Sequence, residues 1–467
     1  RNNMLKKVFV WILAAMLAFS NVGCTSVPQP TMEELLAEVN AEHAAIQKPD
    51  VSTEQYSQYV SFRSSMNQDL KPAKSEGNSE LSLEQAEFDI NLLFDGLHKT
   101  YGLYDLYGGD KVFEAARQQA LTDCKNAGKM NADVLRQIIR NNLSFIHDMH
   151  FTIDGENISE GLYPCFFTEI SFQKISDGYS TIDGKVVESV DGADNLDSLF
   201  KRSLTRKGEI VYWPVTFAKE EEATKNPPSL TIHYSDGSSQ TITAQPYEGI
   251  KENPELRDVD LYEKKGIPIQ YSRWVFSKDF SEFAKELGKE KVSVMNLSLN
   301  GGGQANLASE WWQNYLGKVV PTNFFSVYTQ PYMGTAGFQG IGDLIGVEVV
   351  DPWTLIYTQP DDFVDNENLL IILTGKMTAS SAEIFVDMAR NVENTLIIGE
   401  NTGGFLTNNM SGSTKLTYSR IEVGYGNMVT IFPENDFEEG YGFEPDLWCP
   451  AVYAEEAVVN FVHRMMK

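Results

Sequence analysis

Apolar and polar positions along this chain change period several times, and each change predicts a different element. Residues 32–47 carry a modest amphipathic pattern after Thr31, with Glu34 placed to complete a capping box. A stronger helical pattern opens at Ser82 and Gln85, another capping box, and places Ala86, Ile90, Leu93, Phe94 and Leu97 on one face. Helices are also predicted over residues 111–127 and 132–146, the latter with a stripe of Val134, Leu135, Ile138, Ile139, Leu143 and Ile146. It ends in His147-Asp148-Met149-His150, and a strand is expected to begin at 151–153. The pattern then shortens. Asp-Gly pairs at 177–178, 183–184, 191–192 and 236–237 are hairpin signals, and 229–234 with 240–244 read as the two arms of the last one. Residues 160–250 are therefore expected to form a small β-rich, PDZ-like module or a β insert within a larger domain.

Beyond a polar link at 252–265 the pattern alternates between the two periods. A helix is predicted at 280–287, a strand at 292–299, a turn at Gly301-Gly302-Gly303 and a helix at 307–316. Leu369 to Leu373 is a continuous apolar run, the mark of a strand buried on both faces. A polar turn, 374–381, leads into a helix with Ile384, Phe385, Met388 and Ala389 on one side. Strand 395–398 follows and runs into a glycine loop, 399–404. This is a βαβ unit, whose crossover sets the turn at the carboxyl edge of the sheet, where sites are built. A terminal helix, 454–466, closes the domain. The fold class expected is α/β, with an N-terminal helical region and the β-rich module.

The first residues change the picture of location. Lys6 and Lys7 precede twelve apolar residues, Val8 to Phe19, too few to span a bilayer but suited to a secretory signal. Gly23-Cys24 after that core resembles a bacterial lipoprotein cleavage site, which implies lipid attachment at Cys24. The expected order is signal peptide 1–23, anchor and tether 24–80, helical region 81–159, β-rich module 160–250 and a C-terminal α/β domain 251–467, where the candidate site lies. The product would be an exported, cell-envelope protein, membrane-anchored or secreted. The formal charge of −27, which deepens to −30 without Arg1, Lys6 and Lys7, excludes a nucleic-acid partner, since phosphate binding relies on clustered Lys and Arg. Cys124, Cys165 and Cys449 include no CxxC pair, so a zinc cluster is unsupported and at most one disulfide can form.

Ser380 sits at the mouth of the helix in the βαβ unit, where backbone amides and the helix dipole favour an oxyanion. The same residues, Ser380 to Glu383, also fit a capping box, so a nucleophile's role needs a base elsewhere. Of six histidines, His43 lies in the tether, His98 within a helix, His233 on a hairpin arm and His463 on the terminal helix. His147 and His150 remain. Their HxxH spacing lacks the glutamate and third ligand of a zinc peptidase, and no metal or cofactor is expected. Lys376, four residues before Ser380, is a substitute base.

Five segments, in order, resemble the C-terminal-processing (tail-specific) serine peptidase family, which includes the tricorn core peptidase and the photoreceptor retinoid-binding repeats. Ile146-His147-Asp148-Met149-His150 is similar to the Leu-x-Asp-Gly-His stretch of the tricorn-like branch. Asn296-Leu297-Ser298-Leu299-Asn300-Gly301-Gly302-Gly303 resembles the Asp-Leu-Arg-x-Asn-x-Gly-Gly strand and turn, and Thr378 to Phe385 the nucleophile turn. Gly399 to Gly404 and Glu439 to Asp446 resemble the loop after the next strand and the closing Glu-x-x-Gly-x-x-Pro-Asp segment. The resemblance implies a ClpP/crotonase-like catalytic domain and an endopeptidase acting on proteins or peptides. It implies Ser380 as nucleophile, His150 as base, Glu439 as the group orienting it, and an oxyanion hole from Gly302 or Gly303 with Ser381. Phe405 stands where the lysine-using branch keeps its base, which favours the histidine branch. Asn296 and Ser298 replace the usual Asp and Arg, and with the retinoid-binding repeats they keep a second expectation open, an inactive peptide- or ligand-binding lipoprotein. Acyl-CoA chemistry on a related sheet is disfavoured by export and by the acidic charge.

Overall fold

A computed structural model describes residues 29–46, 80–275, 278–328, 347–351, 354–357, 363–410 and 412–466. The expected signal segment 1–23, Cys24 and most of the 24–80 spacer lie outside the described residues. Helix α1 (Met32–Ala44) has the capping box read from Thr31 and Glu34, with the Thr31 amide donating to Glu34 Oε2 at 2.8 Å. It does not behave as a spacer. Leu35 and Val39 are buried against strands and the terminal helix of the catalytic domain. Asn40 Oδ1 accepts from the Asn394 amide at 3.1 Å, and His43 lies 2.8 Å from Asp446. A spacing of four residues between Leu35, Val39 and His43 is what one helical stripe needs to lie on a sheet.

Helices α2 (Leu83–Thr100), α3 (Gly109–Asn126) and α4 (Ala132–Asn142) form the N-terminal helical region. Helix α4 stops before the end of its apolar stripe. Leu143 and Ile146 stay buried but in a turn, and the Ile146 carbonyl accepts from Ser159 Oγ at 2.9 Å. That early stop releases 147–151 as irregular chain, which aims Asp148 and His150 away from the helix.

Eight strands follow: β1 (Leu162–Phe166), β2 (Phe172–Ile175), β3 (Gly178–Thr181), β4 (Val187–Val190), β5 (Phe200–Leu204), β6 (Ile210–Lys219), β7 (Ser229–Tyr234) and β8 (Ser239–Thr243). The hairpins at Asp177-Gly178 and Asp236-Gly237 form as the turn residues dictate. Asp191-Gly192 closes no hairpin, because β4 pairs with β7 across the module and the turn enters a short helix instead. The module is not set apart from the catalytic domain, since Ser203 of β5 pairs in parallel with Trp448.

The catalytic half supplies β9 (Val259–Lys264), β10 (Ile267–Ser272), β11 (Val292–Asn296), α5 (Ala305–Leu316), β12 (Leu369–Thr374), α6 (Ser381–Ala389), β13 (Thr395–Gly399), β14 (Leu447–Trp448) and α7 (Ala451–Met465). One sheet runs β9-β10-β11-β12-β13-β14-β5-β6-β2-β3, with β1 against β6; β10 through β14 and on to β5 are parallel neighbours. On β12, Leu369, Ile371 and Leu373 pack with α1 and α7, and Leu370 and Ile372 pack with Trp311 of α5 and Phe385 of α6. Helices thus cover both faces, and the loops after β11, β12 and β13 gather at one carboxyl edge.

Candidate active site

The turn after β12 is held from below before it reaches Ser380. Thr378 Oγ1 donates to the Leu297 carbonyl at 2.8 Å, and the Ala379 amide donates to the Asn300 carbonyl at 2.9 Å. These bonds tie it to the Asn300–Gly303 loop after β11. Ser380 itself takes φ +55° and ψ −120°, a conformation that costs a non-glycine residue about 1–3 kcal/mol and that a packed surround must enforce. The strained turn presents its hydroxyl at the start of α6. Gly302, at φ +100°, has no room for a side chain, because a Cβ there would come within 2.8 Å of Ser380 Cβ. Ser381 Oγ donates to the Gly303 carbonyl at 2.8 Å.

Glu383 is the tie that the capping-box reading only half anticipated. Its Oε2 accepts from the amides of Ser380 and Phe405, both at 2.8 Å. Its Oε1 accepts from Thr402 Oγ1 at 2.6 Å and from the Gly404 amide at 2.8 Å. One fully buried carboxylate therefore fixes the serine turn to the glycine loop after β13. Burial pushes its pKa up, against the pull of these four donors.

The histidine side is assembled from three distant segments. Asp148, buried, accepts from Tyr101 Oη and Asn408 Nδ2, both at 2.9 Å, and from the His150 amide at 2.8 Å. Glu439 accepts from the Met149 amide at 2.9 Å and from the Thr407 amide at 3.0 Å. One polar atom each of Asp148, His150 and Glu439 lie within 4.8 Å of one another. Burial lowers the His150 pKa, opposed by the Asp148 charge, so the ring is held neutral at neutral pH. Burial and then the Asp148 charge push Glu439 up to about 8. Among the described residues the ring Nδ1 of His150 is buried without a partner. Two carboxyl groups and an imidazole could in principle hold a cation, but five N–H and O–H donors already converge on these carboxylates. That donor set suits a proton relay better than a metal.

The two sides meet at Phe405. Its amide shares an acceptor oxygen with the Ser380 amide, and its ring stands edge-on to the His150 ring with centroids 5.7 Å apart. Among the described residues no hydrogen bond joins Ser380 Oγ to the imidazole.

Residues 268–448 match the profile of peptidase family S41. The match supports a C-terminal-processing peptidase of that family. Its members are serine-type peptidases. No curated protein matches the chain. Among solved structures it is similar to the photosystem II D1 C-terminal processing protease, at 13% identity over 82% of this chain and 97% of that one, with a TM-score of 0.40. It is similar to a lipoprotein from Streptococcus agalactiae, at 13% identity over 85% and 100% of the two chains, with a TM-score of 0.39. The tricorn protease matches at 11% identity over 82% of this chain and 37% of its own, with a TM-score of 0.36.

Several sequence expectations for this S41 peptidase take a different form in three dimensions. Lys376 is no substitute base, because its buried Nζ donates to the carbonyls of Thr402 at 2.7 Å and of Gly440 and Tyr441 at 3.3 Å. Burial brings its pKa down to about 8, yet its hydrogen bonds lock the glycine loop to the 440–441 turn rather than reach Ser380. The Gly302 amide is taken by Asn300 Oδ1 at 2.9 Å, so among the described residues Gly303 and Ser381 keep the unengaged amides beside the serine. Asn296 and Ser298 bond to one another, with Asn296 Oδ1 accepting the Ser298 amide at 3.1 Å, and so brace the same loop locally. His43, His98, His233 and His463 lie with Asp446, Asp110, Asp191 and the Lys265 carbonyl. Asp148 and Asn408 have no role assigned from sequence, and Glu383 has only its capping-box position; for Asp148 the one signal is its place two residues before a histidine.

Proposed function

We propose that this chain is an exported serine endopeptidase that cleaves proteins or peptides through an acyl-enzyme. Ser380 attacks the carbonyl carbon, and its proton passes to a ring nitrogen of His150. The tetrahedral oxyanion is received by the amides of Gly303 and Ser381. Collapse expels the leaving amine, which takes the proton from His150, and water then repeats the sequence in reverse to free the acid. Glu439, whose pKa burial and the Asp148 charge raise to about 8, has an oxygen within 4.8 Å of a His150 ring nitrogen, and in its ionised form it stabilises the imidazolium. Closing the last distance between hydroxyl and imidazole is a task for bound substrate, since catalytic hydrogen bonds are often loose without it.

The observation that carries this reading is the convergence of an imidazole with two carboxyl groups, buried Asp148 and half-buried Glu439, at the ring of Phe405, whose own amide shares Glu383 Oε2 with that of a strained serine. Export and a lipid anchor at Cys24 are supported by the sequence of residues 4–24, and a ClpP/crotonase-like sheet and PDZ-like module remain part of the proposal. Incubation with a denatured protein substrate tests the whole. The wild-type chain should cleave it, and Ser380→Ala should not. Equal cleavage by both would remove Ser380 from the mechanism.

A second reading, a binding lipoprotein that keeps the fold without turnover, is favoured by the unpartnered His150 Nδ1 and the missing serine–imidazole bond. Fluorophosphonate separates the two, because only an activated serine is covalently modified.

A further inference from the structure

The chain leaving β10 does not turn away from the site at once. Residues 272–275 run on beside the loop after β11 and bond to it at successive residues. Asn300 Nδ2 donates to the Ser272 carbonyl at 3.0 Å, and the Gly301 amide donates to the Arg273 carbonyl at 3.2 Å. The Val275 amide donates to the Gly302 carbonyl at 2.8 Å, and the Gln304 amide to the Val275 carbonyl at 2.7 Å. The last two bonds form one rung of a parallel ladder, Val275 against Gly303. Val275 is fully buried, and Arg273 pins the outer side of the segment with its guanidinium 2.7 Å from Glu252.

That rung decides where Gly303 points. Both peptide units are trans, so the C=O and N–H of each point in opposite directions. With the Gly302 carbonyl turned to Val275, the Gly303 amide in the same unit must face the other way. With the Gln304 amide turned to Val275, the Gly303 carbonyl must face that other way too. It does so, and there it accepts from Ser381 Oγ at 2.8 Å. The Gly303 amide therefore opens on the side of Ser381, whose own amide is the second oxyanion donor. The contact leaves room only for glycine: Gly303 has φ +148°, and a Cβ on it would lie 2.3 Å from the Val275 carbonyl oxygen. Gly301 is pressed in the same way, since a Cβ there would lie 2.6 Å from the Trp274 ring.

We infer that residues 272–275 are the brace that aims the Gly303 amide at the oxyanion, and that Val275 is its positioning residue, acting through Gly303. The inference rests on the peptidase reading and adds to it the part that fixes one of the two donors. An oxyanion donor works by being aimed before the charge develops. Consecutive glycines give the Gly302–Gly303 unit wide rotational freedom, which the Val275 amide removes. A unit that rotated would present the Gly302 carbonyl oxygen, an acceptor, to the developing negative charge. Because the main chain of Val275 supplies the bond, the residue type at 275 carries no sign of it.

The test uses the full chain and a peptide that it cuts from a denatured protein. Val275→Pro removes the N–H that holds the Gly302 carbonyl. An ester at the same place, made by inserting the α-hydroxy acid of valine through nonsense suppression, removes that N–H too and serves if the proline variant does not fold. In either variant kcat should fall roughly 10- to 100-fold with KM changed by less than about twofold, because the amide acts on the tetrahedral state rather than on bound substrate. Affinity for a peptide aldehyde, whose carbonyl takes up Ser380 Oγ–H to form a hemiacetal, should fall by the same factor as kcat/KM. A brace with a merely structural role would lower the denaturant midpoint and leave kcat of the folded fraction unchanged, or would alter KM as much as kcat. Either of those results overturns the inference and leaves the peptidase reading standing. A wild type that neither cleaves nor reacts with fluorophosphonate overturns the peptidase reading and this inference with it.

Discussion

The serine side and the histidine side of the site each centre on one glutamate, fully buried Glu383 and half-buried Glu439, and the two are built to opposite ends. Glu383 accepts four hydrogen bonds and holds the Ser380 turn against the glycine loop. Glu439 accepts two and faces a second carboxylate, Asp148, whose charge adds to burial in pushing its pKa to about 8. The first arrangement satisfies the carboxylate and makes it a fixture. The second leaves a carboxyl with fewer ties, placed where its ionised form can stabilise an imidazolium. Rigidity on the nucleophile's side and a stabilising charge on the base's side are what a proton transfer between them requires.

Removing the reacting groups should have the largest effect. Ser380→Ala should lower kcat/KM by roughly 10⁴-fold or more while shifting stability by no more than about 1 kcal/mol, read from a denaturant midpoint. His150→Gln should cost a similar factor in steady-state kinetics. Glu383→Ala should show the structural side of the contrast. It strands the Ser380, Gly404 and Phe405 amides and the Thr402 hydroxyl, and should cost at least about 3 kcal/mol of unfolding free energy. A loss under about 1 kcal/mol would mean the tie carries little.

Glu439→Gln should be gentler on stability and visible mainly against pH. A carboxyl whose folded pKa is raised from 4.5 to about 8 binds a proton in the native state that the unfolded chain has lost, so it makes stability fall as pH rises between those values. Glu400 and Asp387, both raised to about 7 by burial, act in the same direction up to pH 7. Glu439 contributes on the order of 1 kcal/mol to the decline between pH 7 and 8, and that part should be lost in the variant. The smallest effect is on the acidic limb of kcat/KM. The lowered His150 pKa should place that limb below pH 6.5, and a limb above it would contradict a buried neutral base.

The parallel strands and the serine turn were legible because strands covered on both faces leave unbroken apolar runs such as Leu369 to Leu373, and because the turn's Ser380-to-Glu383 spacing is local. What could not be read were partners supplied by other segments. Glu383 fits a capping box whether or not Thr402 and Phe405 approach it. Lys376 has a base's chemistry until the carbonyls of 402, 440 and 441 are seen around it. Gly302 is a fair oxyanion donor until Asn300 turns its side chain back onto the same amide. The α1 helix was visible, but its seat on the sheet depends on Asn394 and Asp446, far along the chain.

The central claim is that His150 activates Ser380 across Phe405. Peptide mapping after fluorophosphonate treatment, on the wild type and on folded His150→Gln, tests it most directly. The account predicts one adduct, on Ser380, formed rapidly in the wild type and at a rate lower by orders of magnitude in the variant. Labelling at another residue, or at Ser380 with undiminished rate when the imidazole is gone, would contradict it.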